Sequence, residues 1–552
     1  MDIKKDFGVL YGQKTTEDAL LIYSSYEDSQ ASPKMGDFIV LAPRTEDGQK
    51  FLARVEAEIY DEDPIFRNQD KTLIAVHYAR ISQRELSDRD KQKMFSYTYK
   101  VKILGSYTLN DGKDFTTAVR KLPTVSYHAR HLNTGEIHNI LNRTNESGIE
   151  IGYLCIGEEY DESNKIRFDV AKLRDRRTLV LAQSGFGKTN LMKVLISSTI
   201  SDTTYGKLIF DLNGEYFERS TNNYGLGDID SQGVRDNLVV FSDKNVQSSG
   251  HFDFKGNVRI NMHKHMSIGD VLNFATGFSE VMKSFLLYLE GEQVEDFFRN
   301  INDYANNPVK LNQNFPDFWG EAKADATKQG KDEVSARKTI MAIKKRLSFL
   351  IEEGKGLHDS KSTLVEEVFD ALQAGKTVII DLSLRDSFDA GIISNIFVRR
   401  LFETNKKNFT SGSTDKVTNA VIFVEEAQNV LSEELVKTNA NPFVRVAKEG
   451  RKFGLGLVAV TQRPSAISEE IRSQAENFFA FYMGNGRDIR ALVESNINFE
   501  GVISKFLQSE TIAGNLYMVS AGQSFALPLR VRHFEKMIES RVYADSRFKS
   551  DN

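Results

Sequence analysis

The stretch Thr178 to Leu195, T-L-V-L-A-Q-S-G-F-G-K-T-N-L-M-K-V-L, constrains this chain most. A β-rich apolar run, Thr178 to Leu181, enters a turn that holds Gly185 and Gly187. Lys188 and Thr189 follow. Leu191, Met192 and Leu195 then repeat at helical spacing. Strand, glycine loop, Lys-Thr and helix is the context that a phosphate-binding loop requires. Backbone N–H groups of a tight loop must converge on a phosphate, so side chains are small where the backbone approaches. The helix that follows points its positive end at the same anion. The run Ser184, Gly185, Phe186, Gly187, Lys188, Thr189 and Asn190 is therefore the candidate nucleotide-binding set. Lys188 is placed for the β/γ-phosphates of ATP and the Thr189 hydroxyl for Mg²⁺. Ala182 stands where the first glycine of such a loop is usual.

The chain has 552 residues, enough for more than one domain and a large core. It is 40% hydrophobic and 27% charged, an ordinary globular composition. No apolar run is long enough to span a membrane, and Met1 to Asp6 shows no secretory leader. Cys155 is the one cysteine, so neither an internal disulfide nor a cysteine zinc site is available. A cytoplasmic protein is the expectation. The net charge of −5 leaves any nucleic-acid binding to a local basic surface.

Residues 1 to about 125 read as short strands with turns between them: Gly8 to Tyr11, Phe38 to Leu41, Phe51 to Ile59, Thr72 to Tyr78 and Tyr97 to Leu104. Such spacing predicts a small barrel or sandwich. Residues 81–93 read as a charged connection and 126–150 as a linker. Beyond the phosphate loop, Lys207 to Asp211 is an apolar strand, with Asn213, Gly214 and Glu215 in the turn after it. Ligands of an open parallel sheet sit at the carboxyl ends of its strands. Asp211 and Glu215 are therefore candidates to face the nucleotide or its metal, although Asp-Asn-Gly also suits a plain turn.

Residues 265–360 are helical in pattern. Phe274, Met282, Phe285, Leu286 and Leu289 share one face, and Ile340, Ile343, Leu347 and Leu350 share another. Arg337, Lys338, Lys344, Lys345 and Arg346 flank the second stripe, either as a phosphate-contacting surface or as a solvated face.

Sheet patterning resumes at Thr377 to Asp381. Ala420 to Val424 then ends in Glu425 and Glu426, the layout of a Walker B strand. Glu425 is the candidate for the metal shell, one methylene longer than the usual Asp. Glu426 is the candidate general base. A third segment, Gly450 to Pro464, carries Arg451, the strand Leu457 to Val460, and Gln462, a candidate sensor of the γ-phosphate. Arg451, with Arg445, Lys448 and Lys452 nearby, is either an exposed basic patch or an arginine finger reaching a neighbouring subunit. Arg463 is a further candidate. Residues 478–484 and 516–520 supply late strands, Arg530 to His533 end the core, and the last residues read as a polar tail.

These motifs together, A-Q-S-G-F-G-K-T, D-L-N-G-E-Y, V-E-E-A-Q and G-R-K-F-G-L-G-L-V-A-V-T-Q-R-P-S, resemble the HerA branch of the HerA/FtsK ATPases. The β-rich N-terminus resembles that family's HAS-barrel. The long interval between Lys188 and Glu426 resembles its helical insertion. The resemblance implies an α/β fold. Its parts are a HAS-barrel-like domain (1–125), a RecA-like P-loop core (126–535) with the insertion at about 265–360, and a tail (536–552). It further implies a homohexameric ring that hydrolyses ATP with Mg²⁺ and moves double-stranded DNA through its channel. The implied partner is a nuclease (NurA-type in archaea) or a sirtuin-like effector in anti-phage defence, docking on the barrel. In that reading Lys188 and Thr189 hold phosphates and Mg²⁺, Glu426 is catalytic, Gln462 senses and Arg451 acts in trans. A nucleotide-gated scaffold that activates an effector is the competing expectation. An ABC- or SMC-type ATPase is disfavoured, because no L-S-G-G-Q-like signature is present.

Overall fold

Alternating apolar residues near the N-terminus curl a sheet into a closed barrel. The computed structural model describes residues 6–14, 19–25, 33–45, 48–62, 95–217, 224–244, 252–273, 278–291, 297–306, 329–354, 356–438 and 441–540. The barrel strands are β1 (Gly8–Lys14), β2 (Ala19–Ser25), β3 (Phe38–Ala42), β4 (Lys50–Glu62), β5 (Phe95–Tyr107) and β6 (His128–His131). They close in the order β1-β2-β5-β4-β3-β6. β4 and β5 pair antiparallel along their length, with register shifts at Leu52/Ala53 and Val55/Ala57. Such bulges bend and twist a strand, which helps a small barrel to close. Phe7, Leu10, Ile22, Ile39, Phe51, Val55, Tyr99 and Val101 fill the interior.

The segment expected as a linker, 126–150, is instead structural. β6 pairs with both β1 and β3 and closes the barrel. The sequence His-Ala-Arg-His carries no apolar alternation, so only its backbone pairing reveals it as a strand. Just beyond, Glu136 is fully buried. It accepts from Arg130 at 2.7 and 2.9 Å and from the Tyr107 hydroxyl at 2.6 Å. The expected strand at 72–78, the connection at 81–93, Phe274 and residues 543–552 lie outside the described residues.

The chain divides into two compact units. The first comprises residues 1–169, 182–187 and 478–532. Besides the barrel it holds β7 (Ile149–Ile156), β8 (Glu159–Phe168), β16 (Asn477–Phe481), β17 (Asn515–Val519) and β18 (Leu527–Val531). These pair antiparallel, β16 with β17, β17 with β18, β18 with β7 and β7 with β8.

The second unit comprises residues 170–181, 188–477 and 533–552. Its strands are β9 (Arg177–Leu181), β10 (Gly206–Asp211), β11 (Leu238–Ser242), β12 (Asp253–Gly256), β13 (Thr377–Asp381), β14 (Ala420–Val424) and β15 (Leu455–Thr461). All run parallel, in the order β12-β11-β13-β10-β14-β15-β9. Every residue of β10, β11, β13, β14 and β15 is buried. Continuous apolar runs such as Ala-Val-Ile-Phe-Val are what a parallel sheet covered on both faces demands. The helices include α1 (Lys188–Ser197), α2 (Glu280–Gly291), α3 (Phe297–Asn306), α4 (Gln329–Arg346), α5 (Ser387–Thr410), α6 (Pro442–Glu449) and α7 (Phe534–Ser540). Phe210 of β10 meets Phe397 of α5 and Phe443 of α6 with ring centroids 6.4 and 6.3 Å apart.

The helical insertion follows its sequence pattern. Phe285, Leu286 and Leu289 of α2 are buried, as are Ile340 and Ile343 of α4 and the following Leu347 and Leu350. Arg337, Lys338, Lys345 and Arg346 are exposed. Of the tail expected at 536–552, residues 536–540 belong to α7, in which Phe534 and Met537 are buried.

Candidate active site

In the second unit β10, β14, β15 and β9 are consecutive neighbours and parallel, so their carboxyl ends share one edge. Two of the motif segments, those starting at Asp211 and Val424, begin there, and a third, which starts at Gly450, reaches it at Gln462. The fourth, the glycine loop, leaves β9. Gly185 and Gly187 sit at φ +85° and +102°, conformations that a Cβ resists. A Cβ on Gly187 would also lie 3.4 Å from the backbone nitrogen of Gly514. Ala182 is buried and is not among the positive-φ residues, so its position makes no demand for glycine. Ser184 is exposed, and Phe186 packs at a tilt of 33° against Tyr482 with ring centroids 4.5 Å apart.

Lys188 opens α1. Among the described residues its ammonium makes no hydrogen bond or ion pair, so its donors stay available. Burial pulls its pKa below the ordinary lysine value, while Glu426, Glu425 and Glu215 push it back up. Three carboxylates around one ammonium leave the site acidic. A triphosphate needs a cation to enter such a place. The Thr189 hydroxyl donates to Glu215 at 2.9 Å, which leaves oxygen lone pairs for a hard cation. The described residues contain no group of three or more acidic, His or Cys side chains able to hold a metal alone. The donor set therefore suits Mg²⁺ arriving with phosphate oxygens.

Glu425 and Glu426 end β14 and are held differently. Glu425 accepts from the Tyr216 hydroxyl at 2.6 Å and the Asn213 amide at 3.3 Å. Burial pushes its pKa up to about 7, the Tyr216 hydrogen bond opposes this, and Asp211 and Glu215 add to the rise. Glu426 is in the left-handed region, φ 47° and ψ 43°, unusual for a residue with a Cβ. Its two carboxylate oxygens are taken separately. Gln462 donates to Oε1 at 3.0 Å and Gln428 to Oε2 at 2.6 Å. Gln462 at the end of β15 thus meets Glu426 at the end of β14, as their strands' adjacency requires.

Asp211 ends β10 at this edge, but its carboxylate is taken up by its own loop. It is fully buried and accepts from the backbone N–H groups of Gly214, Glu215 and Tyr216 at 2.7, 3.1 and 2.9 Å. These bonds fit the turn reading, in which Asp211 shapes the loop that presents Glu215, Asn213 and Tyr216. Asn190 is also committed elsewhere, its carboxamide oxygen accepting from the Phe534 N–H at 2.8 Å.

The arginines separate by edge. Arg451 precedes β15 and lies beside Glu476 at 3.5 Å, at the amino ends of the strands. Five residues of β9 place that edge about 13 Å from the glycine loop. Arg451 has 66% of its side chain exposed, on the edge opposite the one where Lys188 follows β9. Lys448 of the same patch pairs with Glu470 at 3.0 Å. Arg445 lies half-buried within α6, between the two edges. Arg463 is exposed and follows Gln462 directly, on the carboxyl edge.

Residues 149–401 match the family model described as Helicase HerA, central domain, and residues 334–483 match that described as Zonular occludens toxin (Zot). A DNA double-strand break repair helicase HerA from Sulfurisphaera tokodaii is 28% identical over 380 residues, covering 67% of this chain and 68% of that protein. Over these residues the chain resembles the HerA P-loop ATPases. A second HerA of that description, from Sulfolobus acidocaldarius, is 23% identical over 365 residues and covers 64% of this chain. The chain spans 62% of that relative's length. The solved structure of VirB4 from Thermoanaerobacter pseudethanolicus aligns at 12% identity with a TM-score of 0.43, over 71% of this chain and 98% of that one.

Four polar residues of this HerA-like site carry contacts that motif reading did not assign: Asn213, Tyr216, Gln428 and Thr461. Each stands inside or next to a quoted motif. Motif letters mark position in the loop and not which neighbour a side chain meets.

Proposed function

We propose that this chain is an ATP-driven motor acting on double-stranded DNA. The observation that carries the reading is the convergence of Lys188, Thr189, Glu426 and Gln462 at one sheet edge, joined to the likeness to proteins named DNA double-strand break repair helicases. The loop before Lys188 offers backbone N–H groups to the phosphates, and the Lys188 ammonium meets the β/γ oxygens. Mg²⁺, held through the Thr189 hydroxyl with Glu425 in its outer shell, would neutralise charge on the phosphates. Glu426 accepts the proton of the attacking water, and Gln462 orients that water through its second amide hydrogen. Arg451, on the far edge of its own subunit, serves a neighbour's nucleotide. That arrangement calls for a homohexameric ring. The barrel is the proposed docking surface for a nuclease or other effector, because the translocation channel of such a motor lies in its ATPase ring.

Phosphate release by the full chain, with and without linear duplex DNA at about 50 mM salt, tests the reading. DNA raises the rate several-fold, and about 200 mM salt removes most of the increase. A rate indifferent to DNA at low salt sinks the motor and leaves the ATPase.

A further inference from the structure

A chain of hydrogen bonds with one possible direction runs from the Arg463 backbone to Glu426. The Arg463 N–H donates to Thr461 Oγ1 at 3.0 Å. That hydroxyl is buried at 1% exposure, and its single proton goes to Gln428 Oε1 at 2.6 Å. The carbonyl side of the Gln428 amide is thereby fixed toward Thr461. Its nitrogen must face Glu426, where it donates to Oε2 at 2.6 Å. No alternative amide orientation satisfies both neighbours, since Thr461 would then lose its acceptor and Glu426 its donor. Gln462 holds the other oxygen of Glu426.

We infer that Gln428 and Thr461 form a positioning relay for the hydrolytic carboxylate, and that the relay ties Glu426 to the exposed segment beginning at Arg463. The inference rests on Glu426 being the general base of the proposed reaction. Glu426 stands in a left-handed backbone conformation that carries strain in a residue with a Cβ. Unheld, its carboxylate would rotate away. The two amides fix both oxygens, and so fix where a lone pair meets a water. Neither Gln428 nor Thr461 need touch nucleotide. Because Thr461 and Arg463 share one hydrogen bond, a change in the path of residues 461–463 reaches Gln428 directly. Anything that engages the exposed Arg463 then bears on the orientation of the base.

A purely structural role for Gln428, holding the turn at 427–429, makes different predictions. That turn is already closed by the Asn429 N–H donating to the Glu426 carbonyl at 2.9 Å. The test compares Gln428→Met, Thr461→Val, Thr461→Ser and the double variant Gln428→Met/Thr461→Val. It reads steady-state ATP hydrolysis and ATPγS affinity on the full chain. The relay predicts that Gln428→Met and Thr461→Val each lower kcat about 10- to 100-fold with KM for ATP and ATPγS affinity within about 3-fold. Thr461→Ser, which keeps the hydroxyl, restores most of kcat. The double variant is no slower than Gln428→Met alone, because the two residues act through one bond path. Additive losses, a KM that rises in step with the loss, failure of Thr461→Ser to rescue, or unchanged kcat in an active wild-type background each overturn the relay alone. A wild-type chain that binds ATPγS and does not hydrolyse ATP overturns the general-base reading with it.

Discussion

At the residue scale, two adjacent glutamates have opposite surroundings and should respond differently to the same substitution. Glu426 is held by two neutral amides. Replacing it by Gln removes the proton acceptor and keeps the volume. ATP hydrolysis should fall about 10²- to 10⁴-fold while ATPγS still binds, as phosphate release and nucleotide titration would show. A variant that hydrolyses at the wild-type rate assigns the base elsewhere. Glu425 is a stability matter. Its folded pKa is raised from 4.5 to about 7, chiefly by burial. A carboxyl so raised carries no penalty below 4.5. The penalty grows as pH rises from 4.5 to about 7 and stays constant above. Nucleotide-free Glu425→Gln should therefore gain stability relative to wild type on going from pH 5 to pH 8, on the order of 2 kcal/mol. A difference in melting temperature that ignores pH would contradict this. Asp211 shows where residue-level reading stops. An acidic residue at a strand end is equally able to face ligand or cap its own turn. The four backbone N–H groups converging on it, from Asn213 to Tyr216, favour the turn.

At the element scale, strands with one repeating pattern were legible and the others were not. β10, β13, β14 and β15 announce themselves as unbroken apolar runs, since both faces of a parallel sheet are covered. β4 shows the alternation of a barrel strand. β6 has neither signal, and residues 126–150 read as a linker for that reason. What anchors this region is a buried ion pair, with Arg130 and Tyr107 closing on Glu136. Glu136→Ala would strand a half-buried guanidinium and a buried hydroxyl, at a cost of about 2 kcal/mol. Urea unfolding, followed by amide exchange in β5 and β6, should show the loss in the barrel, with the α1 amides unaffected. Equal loss in β14 and β15 would mean that the two units do not unfold separately. The glycine loop was legible because its geometry needs glycine at two sites. Its first position did not, and Ala182 is accommodated with an ordinary backbone.

At the scale of the whole molecule, the edge on which each arginine lies becomes a statement about assembly. Arg451 stands at the amino edge of the sheet, beside Glu476, and its own Lys188 at the other. If Arg451 completes a neighbour's site, Glu426→Gln and Arg451→Ala subunits are each inactive alone. Mixed in equal amounts they regain activity, since roughly a quarter of interfaces then pair an intact base with an intact arginine. A mixture as inactive as its components removes Arg451 from catalysis. Sequence motifs located the nucleotide loop and the two glutamates. They left the amide clamp on Glu426 invisible, because which strands are neighbours is a property of the sheet order β10-β14-β15-β9 and not of the chain.

The central claim is that hydrolysis at this edge drives movement along duplex DNA. Displacement of a triplex-forming oligonucleotide from a linear duplex measures that movement without requiring strand separation. With ATP and Mg²⁺ the full chain should displace the third strand, and with ATPγS, or with Lys188→Ala, it should not. Hydrolysis that DNA stimulates, with the third strand left in place, would contradict the motor and point to a nucleotide-gated scaffold.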